Sequence, residues 1–220
     1  MSTWAILAAA GSGERLGADR PKAFVALGEL PLLATSMERL DESDWVDAIV
    51  VAAPPGWEEP SILLAEEIGA GKVSAVVAGG ATRAESVRLA LAEVPAEAVA
   101  VLVHDAARPL VDDEVVGRVL TPLAEGWDGV VPALPIADTV KRVDGDRVLA
   151  TVDRDDLVSV QTPQAFLADV LRRAVAGGGD ATDCAGLVEA AGGRVRWVEG
   201  DPRLLKVTTR ADLDRVASWL

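Results

Sequence analysis

Residues 4–22 read WAILAAAGSGERLGADRPK. Trp4–Ala9 is a short apolar run without a polar break, the pattern of a strand buried on both faces. It ends at Gly11-Ser12-Gly13, where small residues let backbone N–H groups converge on an anion. A buried strand running into a glycine loop is how an α/β sheet with a ligand site at its carboxyl edge begins.

The rest of the chain keeps that alternation. Leu32–Leu40 reads as a helix entered through Pro31. Ala48–Ala53 is an apolar strand stopped by Pro54-Pro55, and Glu58–Ile68 is helical. Val73–Val77 is a β-branched strand ahead of Gly79-Gly80. Ala84–Ala92 places Val87, Ala90 and Leu91 on one helical face. Val99–Val103 is the most apolar strand, Asp112–Glu125 a helix and Gly129–Ala133 a strand. Strands of about five residues between helices of about ten predict βαβ crossovers. The expected fold is therefore α/β: Rossmann-like, a mostly parallel sheet with helices on both faces. Helices over Phe166–Val175 and Thr182–Ala191 follow, then a strand over Arg194–Val198. The last helix starts near Ala211, with Thr209 as N-cap and Asp212 three residues on. No repeat or linker divides residues 1–220, which are expected to form a single domain.

Thr139–Val152 breaks the rhythm. Two alternating segments flank Asp144-Gly145, a strong hairpin signal. Inserted into a parallel sheet, such a hairpin projects. It is either a surface ribbon or an arm exchanged between subunits, because an isolated two-stranded ribbon is marginal in water.

Against 21 Lys and Arg stand 35 Asp and Glu, a net charge of −14. That excludes a nucleic-acid coat or an anionic-membrane binder, which need a basic footprint. A small anionic ligand remains open. Only four of the cations are lysines, Lys22, Lys72, Lys141 and Lys206. One cysteine, Cys184, permits no internal disulfide, and one histidine, His104, makes a Cys/His metal site untenable. No apolar run reaches the ~18 residues of a membrane span. No signal-peptide pattern follows Met1, so a reducing cytoplasm is the expected compartment.

Chemistry concentrates in two loops. The first is not a dinucleotide fingerprint, because Leu16 stands where the third glycine would be, and it lacks the Walker A lysine pattern. It does carry Arg15, Arg20 and Lys22, three cations within eight residues of an acidic chain. The second, Val101–Pro109, ends a buried strand with Asp105 and Arg108 at its mouth. Asp105 is placed to hold Mg²⁺, which takes one or two carboxylates plus substrate phosphates. Arg108 offers a bidentate fork to a phosphate. His104 is either a base or a hydrogen-bonded structural residue.

Ala9-Ala-Gly-Ser-Gly-Glu-Arg-Leu16, Pro21-Lys22, Gly79-Gly-Ala-Thr-Arg-Ala-Glu-Ser86, Val103-His-Asp-Ala-Ala-Arg-Pro109, Asp138-Thr-Val-Lys-Arg142, Gln161-Thr-Pro-Gln164, Thr182-Asp183 and Lys206-Val-Thr208 together resemble the 2-C-methyl-D-erythritol 4-phosphate cytidylyltransferase family. The resemblance covers essentially the whole chain. It implies a nucleotidyltransferase fold, CTP and the polyol phosphate as substrates, a divalent cation such as Mg²⁺, and a homodimer joined through a β-arm at 138–154. It implies Arg15 and Lys22 as catalytic residues. CTP would meet Ala9, Ala10, Gly11, Ser12, Gly13, Gly79, Gly80, Arg83, Ser86, Asp105 and Ala106. The polyol phosphate would meet Arg108, Thr139, Arg154, Thr182 and Lys206, with Thr139 and Arg154 reaching in from the neighbouring subunit. Two departures stand out: Ala81 where an acidic residue is common, and Cys184 where glutamate is common. A cytidylyltransferase for another polyol phosphate, such as ribitol 5-phosphate, is the near alternative. A non-catalytic nucleotide sensor is the alternative of another class. An acidic exterior around a positively charged cleft is expected.

Overall fold

Of the chain, the computed structural model describes residues 2–11, 13, 16–17, 19–177 and 181–220. β1 (Thr3–Ala8) is followed by a small ribbon, β2 (Ala26–Leu27) and β3 (Leu30–Pro31), and by α1 (Leu32–Glu42). Then come β4 (Ala48–Ala53), α2 (Glu58–Ile68), β5 (Val73–Ala78), α3 (Arg83–Leu91), β6 (Ala100–Asp105) and α4 (Asp113–Leu120). β7 (Gly129–Pro135) leads to the hairpin β8 (Val140–Asp144) and β9 (Arg147–Val152). β10 (Val158–Val160), β11 (Gln164–Leu167), α5 (Ala168–Ala176), α6 (Cys184–Ala190), β12 (Val195–Glu199) and α7 (Arg210–Ala217) complete the order.

The central sheet is mostly parallel, as its sequence predicts. β6, β1, β4 and β5 lie side by side in parallel. β11 runs antiparallel between β6 and β7. β12 pairs in parallel with the same residues of β7 that β11 meets, so the two flank β7 on opposite edges. Alternation along each strand feeds two cores. Ala5 and Leu7 of β1 and Leu102 of β6 pack with α1, α2 and α4, while Ile6, Val101 and Val103 pack with α3, α5 and α6. Val87, Ala90 and Leu91 are all buried in the second core, on the one helical face their spacing describes. α7 is closed by the Thr209–Asp212 capping box.

Three expectations need correction. Phe166 is a strand residue, fully buried in β11, and the helix begins at Ala168. No breaker separates Leu167 from Ala168, so only pairing with β6 and β7 makes the first half extended. The helix expected over Asp112–Glu125 is α4 plus a 3-10 turn over Thr121–Glu125, because Pro122 cannot continue the α ladder. The helix expected over Thr182–Ala191 begins at Cys184, with Asp183 as its cap. The hairpin is present as a separate two-stranded sheet.

Candidate active site

Strand order reverses beside β1: the chain moves outward to β4 and β5, then returns to β6 on the other side. Ligands of such sheets collect at the carboxyl ends of the strands at that point. Three loops meet there. Backbone bonds from Ala9 to Ala52, Ala106 to Ala8, and Gly79 to Ala53, all 2.8–3.0 Å, tie them to neighbouring strands. They enclose a cleft of about 410 Å³. Ala9, Ala10, Gly11, Lys22, Gly80, Arg83, Ser86, Asp105, Ala106 and Lys206, all site candidates from the sequence, line it. Arg15 and Ser12 lie outside the described residues.

Two glycines explain how closely the loops approach. A Cβ on Gly79 would overlap the Ala10 side chain and meet Ser86 Oγ at 3.1 Å. Gly13 is left-handed at φ 69°, and a Cβ there would overlap the Lys22 side chain. The turn before α3 is self-contained. Thr82 accepts from the Glu85 N–H and Glu85 accepts from the Ala81 N–H. Ser86 Oγ accepts from the Gly80 N–H at 3.0 Å and donates to the Thr82 carbonyl at 2.9 Å. Ser86 therefore shapes this turn, and a ligand meeting it finds acceptors rather than donors.

The charged centre is Asp105, the last residue of β6. It shares the face of Val101 and Val103, so it points towards α3. Its Oδ1 accepts from Arg83 Nε at 3.0 Å and its Oδ2 from Lys206 Nζ at 2.7 Å. Burial works against its charge, but Arg83 and Lys206 outweigh it and hold the carboxyl well below the usual carboxylate range. Burial works against the Arg83 charge as well, and Asp105 and Cys184 overcome it, so the guanidinium stays protonated. Three cations and one carboxylate line the cleft among the described residues. This is the local positive excess expected inside an acidic chain.

The Asp105–Arg108 turn is clamped from behind. Thr162 Oγ1 accepts from the Asp105 N–H at 3.1 Å and donates to His104 Nδ1 at 3.1 Å. His104 Nε2 must then donate to the Arg108 carbonyl at 3.0 Å, since a carbonyl only accepts. Burial holds the His104 pKa down to about 4, so the ring is neutral near pH 7. Both nitrogens are engaged, which makes His104 structural and not a base. Arg108 does not line the cleft. It donates to the Leu204 carbonyl at 2.5 Å, and Val207 N–H bonds the Ala107 carbonyl, so the turn and the Lys206 loop are stitched together.

The remaining candidates sit apart. Thr139 and Arg154 are exposed at the base of the hairpin, where Arg154 donates to the Ala137 carbonyl. Thr182 is exposed just ahead of α6. Cys184 is fully buried, and its Sγ accepts from Arg83 Nη1 at 3.4 Å. Burial pushes the thiol pKa up, against the pull of Arg83. Thr162 and Gln164 were legible only as parts of a motif, because their roles depend on side chains from distant segments. No group of three or more His, Cys, Asp or Glu side chains suited to a metal occurs among the described residues.

Residues 3–220 match the family model described as IspD, 2-C-methyl-D-erythritol 4-phosphate cytidylyltransferase. A relative so named from Saccharopolyspora erythraea is 50% identical, covering 97% of this chain and 96% of its own. Another, from Nocardia farcinica, is 46% identical over all of this chain and 94% of its own. The crystal structure of the Thermus thermophilus enzyme of that name superposes with a TM-score of 0.80 at 35% identity, covering 97% of this chain and 96% of its own.

Proposed function

Because the chain belongs to the 2-C-methyl-D-erythritol 4-phosphate cytidylyltransferase family, we propose that its cleft brings CTP and the polyol phosphate together for in-line transfer. The protein is a nucleotidyltransferase that converts CTP and 2-C-methyl-D-erythritol 4-phosphate to 4-diphosphocytidyl-2-C-methyl-D-erythritol and pyrophosphate. A phosphate oxygen of the polyol phosphate forms a bond to the α-phosphorus of CTP as the bond to the bridging oxygen of pyrophosphate breaks. The attacking oxygen is already anionic, so no general base is needed, and His104 is free to be structural.

The observation that carries the reading is the convergence of the glycine loop, Lys22, Arg83, Asp105 and Lys206 on one cleft at the switch point. The Ala10–Gly13 backbone would cradle the triphosphate. Lys22, with Arg15, would stabilise charge building at the α-phosphorus, catalysis by fixed charge and positioning. The Gly79–Ser86 segment would meet the cytosine. Arg108, Thr182 and Lys206 would hold the polyol phosphate. Asp105 fits a divalent cation held chiefly by nucleotide phosphates. It is ionised, and each oxygen accepts one hydrogen bond and keeps a further lone pair. Mg²⁺ bound there would neutralise phosphate charge.

Thr139 and Arg154 belong to the β-arm, which we assign to a homodimer. Val143, Val148 and Leu149 on the arm are each more than half exposed. A two-stranded ribbon with such a surface needs something to pack on. The neighbouring subunit's cleft would then receive Thr139 and Arg154. No helix among the described residues is long and apolar enough to cross a membrane. The single buried thiol and a nucleotide substrate suit the cytoplasm. Pyrophosphate release from CTP with 2-C-methyl-D-erythritol 4-phosphate, and separately with ribitol 5-phosphate, tests the assignment. Release with the first substrate alone is expected; release with the second alone, or with neither, refutes it.

A further inference from the structure

On the α3 side of the sheet lies a buried amide with no part in the reaction as described. Gln164, the first residue of β11, is 1% exposed. Its Nε2 donates to Asp183 Oδ2 at 2.7 Å, while its Oε1 is buried with no partner among the described residues. The other oxygen of Asp183 accepts the Gly186 N–H at 2.9 Å and caps α6. One carboxylate thus ties its own helix to the sheet. The tie is made at a rigid point, because β11 is paired with both β6 and β7.

The residues on either side of Asp183 are the polyol-phosphate candidate Thr182 and the buried Cys184. Thr182 precedes it at the surface, and Cys184 follows it and supports the Arg83 guanidinium. Gln164 is also a poor choice for filling a core. A leucine has similar volume and leaves no orphaned oxygen, and a buried unpaired acceptor is destabilising. What the glutamine adds is direction: a donor aimed at one carboxylate oxygen.

We propose that Gln164 and Asp183 form a positioning pair that sets the Thr182 segment in register with the polyol-phosphate subsite. The inference rests on the assignment of Thr182 to that subsite. Neither residue touches substrate; both act through the placement of Thr182.

Steady-state kinetics on the full chain, with pyrophosphate release as readout, tests it. Gln164→Glu replaces the amide donor with a second carboxyl that opposes Asp183 once ionised, and because burial beside a carboxylate favours its protonated form the kinetics are run up to about pH 9. The substitution is expected to raise KM for 2-C-methyl-D-erythritol 4-phosphate about tenfold or more, with KM for CTP within about twofold. Gln164→Glu combined with Asp183→Asn restores a donor–acceptor pair, since the new amide caps α6 with its oxygen and donates to the new carboxylate. KM for the polyol phosphate should return to within about twofold of the original. A folded Gln164→Glu protein with unchanged KM overturns the proposal, as does a double variant no better than the single one. If circular dichroism shows Gln164→Glu unfolded, Gln164→Leu decides. A raised polyol-phosphate KM at an undiminished melting temperature supports the pair, and an unchanged KM overturns it. Thr182→Ala separates the two levels. If it leaves that KM unchanged, the subsite assignment fails and takes the inference with it; if it raises KM while Gln164→Glu does not, only the inference fails.

Discussion

Replacing Asp105 with asparagine removes the carboxylate that pairs with both Arg83 and Lys206 in the cleft. The Arg83 bond is mostly buried and charge-assisted, so its loss costs about 2 kcal/mol. The Lys206 bond is shorter, but that side chain is 42% exposed, and solvent screening reduces its contribution to about 1 kcal/mol or less. Together they amount to about 3 kcal/mol at pH 7, or roughly 6–12 °C in melting temperature for a chain of this size. The folded carboxyl titrates below its unfolded value, so its contribution is full above the unfolded pKa of about 3.9 and fades as pH falls through the folded one. Asp105→Asn should therefore melt well below the parent at pH 7, with the gap narrowing below about pH 4. Thermal and urea unfolding, each followed by the fluorescence of the six tryptophans, measure the melting temperature and the free energy at each pH. Equal stability at pH 7, or a gap that does not change between pH 7 and pH 3, would refute the assignment of Asp105 as a buried charge hub.

Four further outcomes are expected. Lys22→Ala should lower kcat by on the order of 10²- to 10³-fold in a pyrophosphate-release assay, the loss typical of one charge-stabilising donor. Thr162→Val removes the hydroxyl that serves both Asp105 N–H and His104 Nδ1, and should cost about 1–3 kcal/mol in urea unfolding, while Thr162→Ser should stay close to the parent. Deleting Val143–Leu149 should give a monomer by light scattering and abolish turnover. If the arm completes the neighbouring site, mixing inactive Lys22→Ala and Arg154→Ala dimers after subunit exchange should recover about a quarter of the original activity, because half of the dimers are mixed and each has one intact site. No recovery on exchange counts against a shared site.

Where local pattern and tertiary demand agreed, the structure was legible in the sequence. The run Trp4–Ala9 has no polar residue to place at a surface, so it lies in the middle of a sheet. Gly79 and Gly13 mark loops in which a Cβ would overlap the side chains of Ala10 and Lys22 and keep those segments away. Thr209 and Asp212 cap α7 within four residues of each other, a contact that needs no other part of the chain. Phe166 shows the opposite case. Its neighbours suit a helix as well as a strand, and the slot between β6 and β7 decides.

Charge placement divides the same way. Composition established an acidic chain with few lysines, the two loops singled out Lys22, Asp105 and Arg108, and the family resemblance added Lys206. None of these revealed that Lys206 reaches Asp105 across 101 residues of sequence, or that Arg108 is held away from the cleft lining by the Leu204 carbonyl. His104 was open between base and scaffold until both of its ring nitrogens were seen to be engaged. By itself the sequence determined the order of strands and helices, the loops that carry chemistry and the family, because these follow from periodicity and from motifs read within a few residues. Only the tertiary structure decided which charges are paired, which polar groups are buried and which side chain orients another. Those depend on distances between segments that the chain brings together only on folding, and at about 3 Å in a dry interior such distances govern protonation and hydrogen bonding.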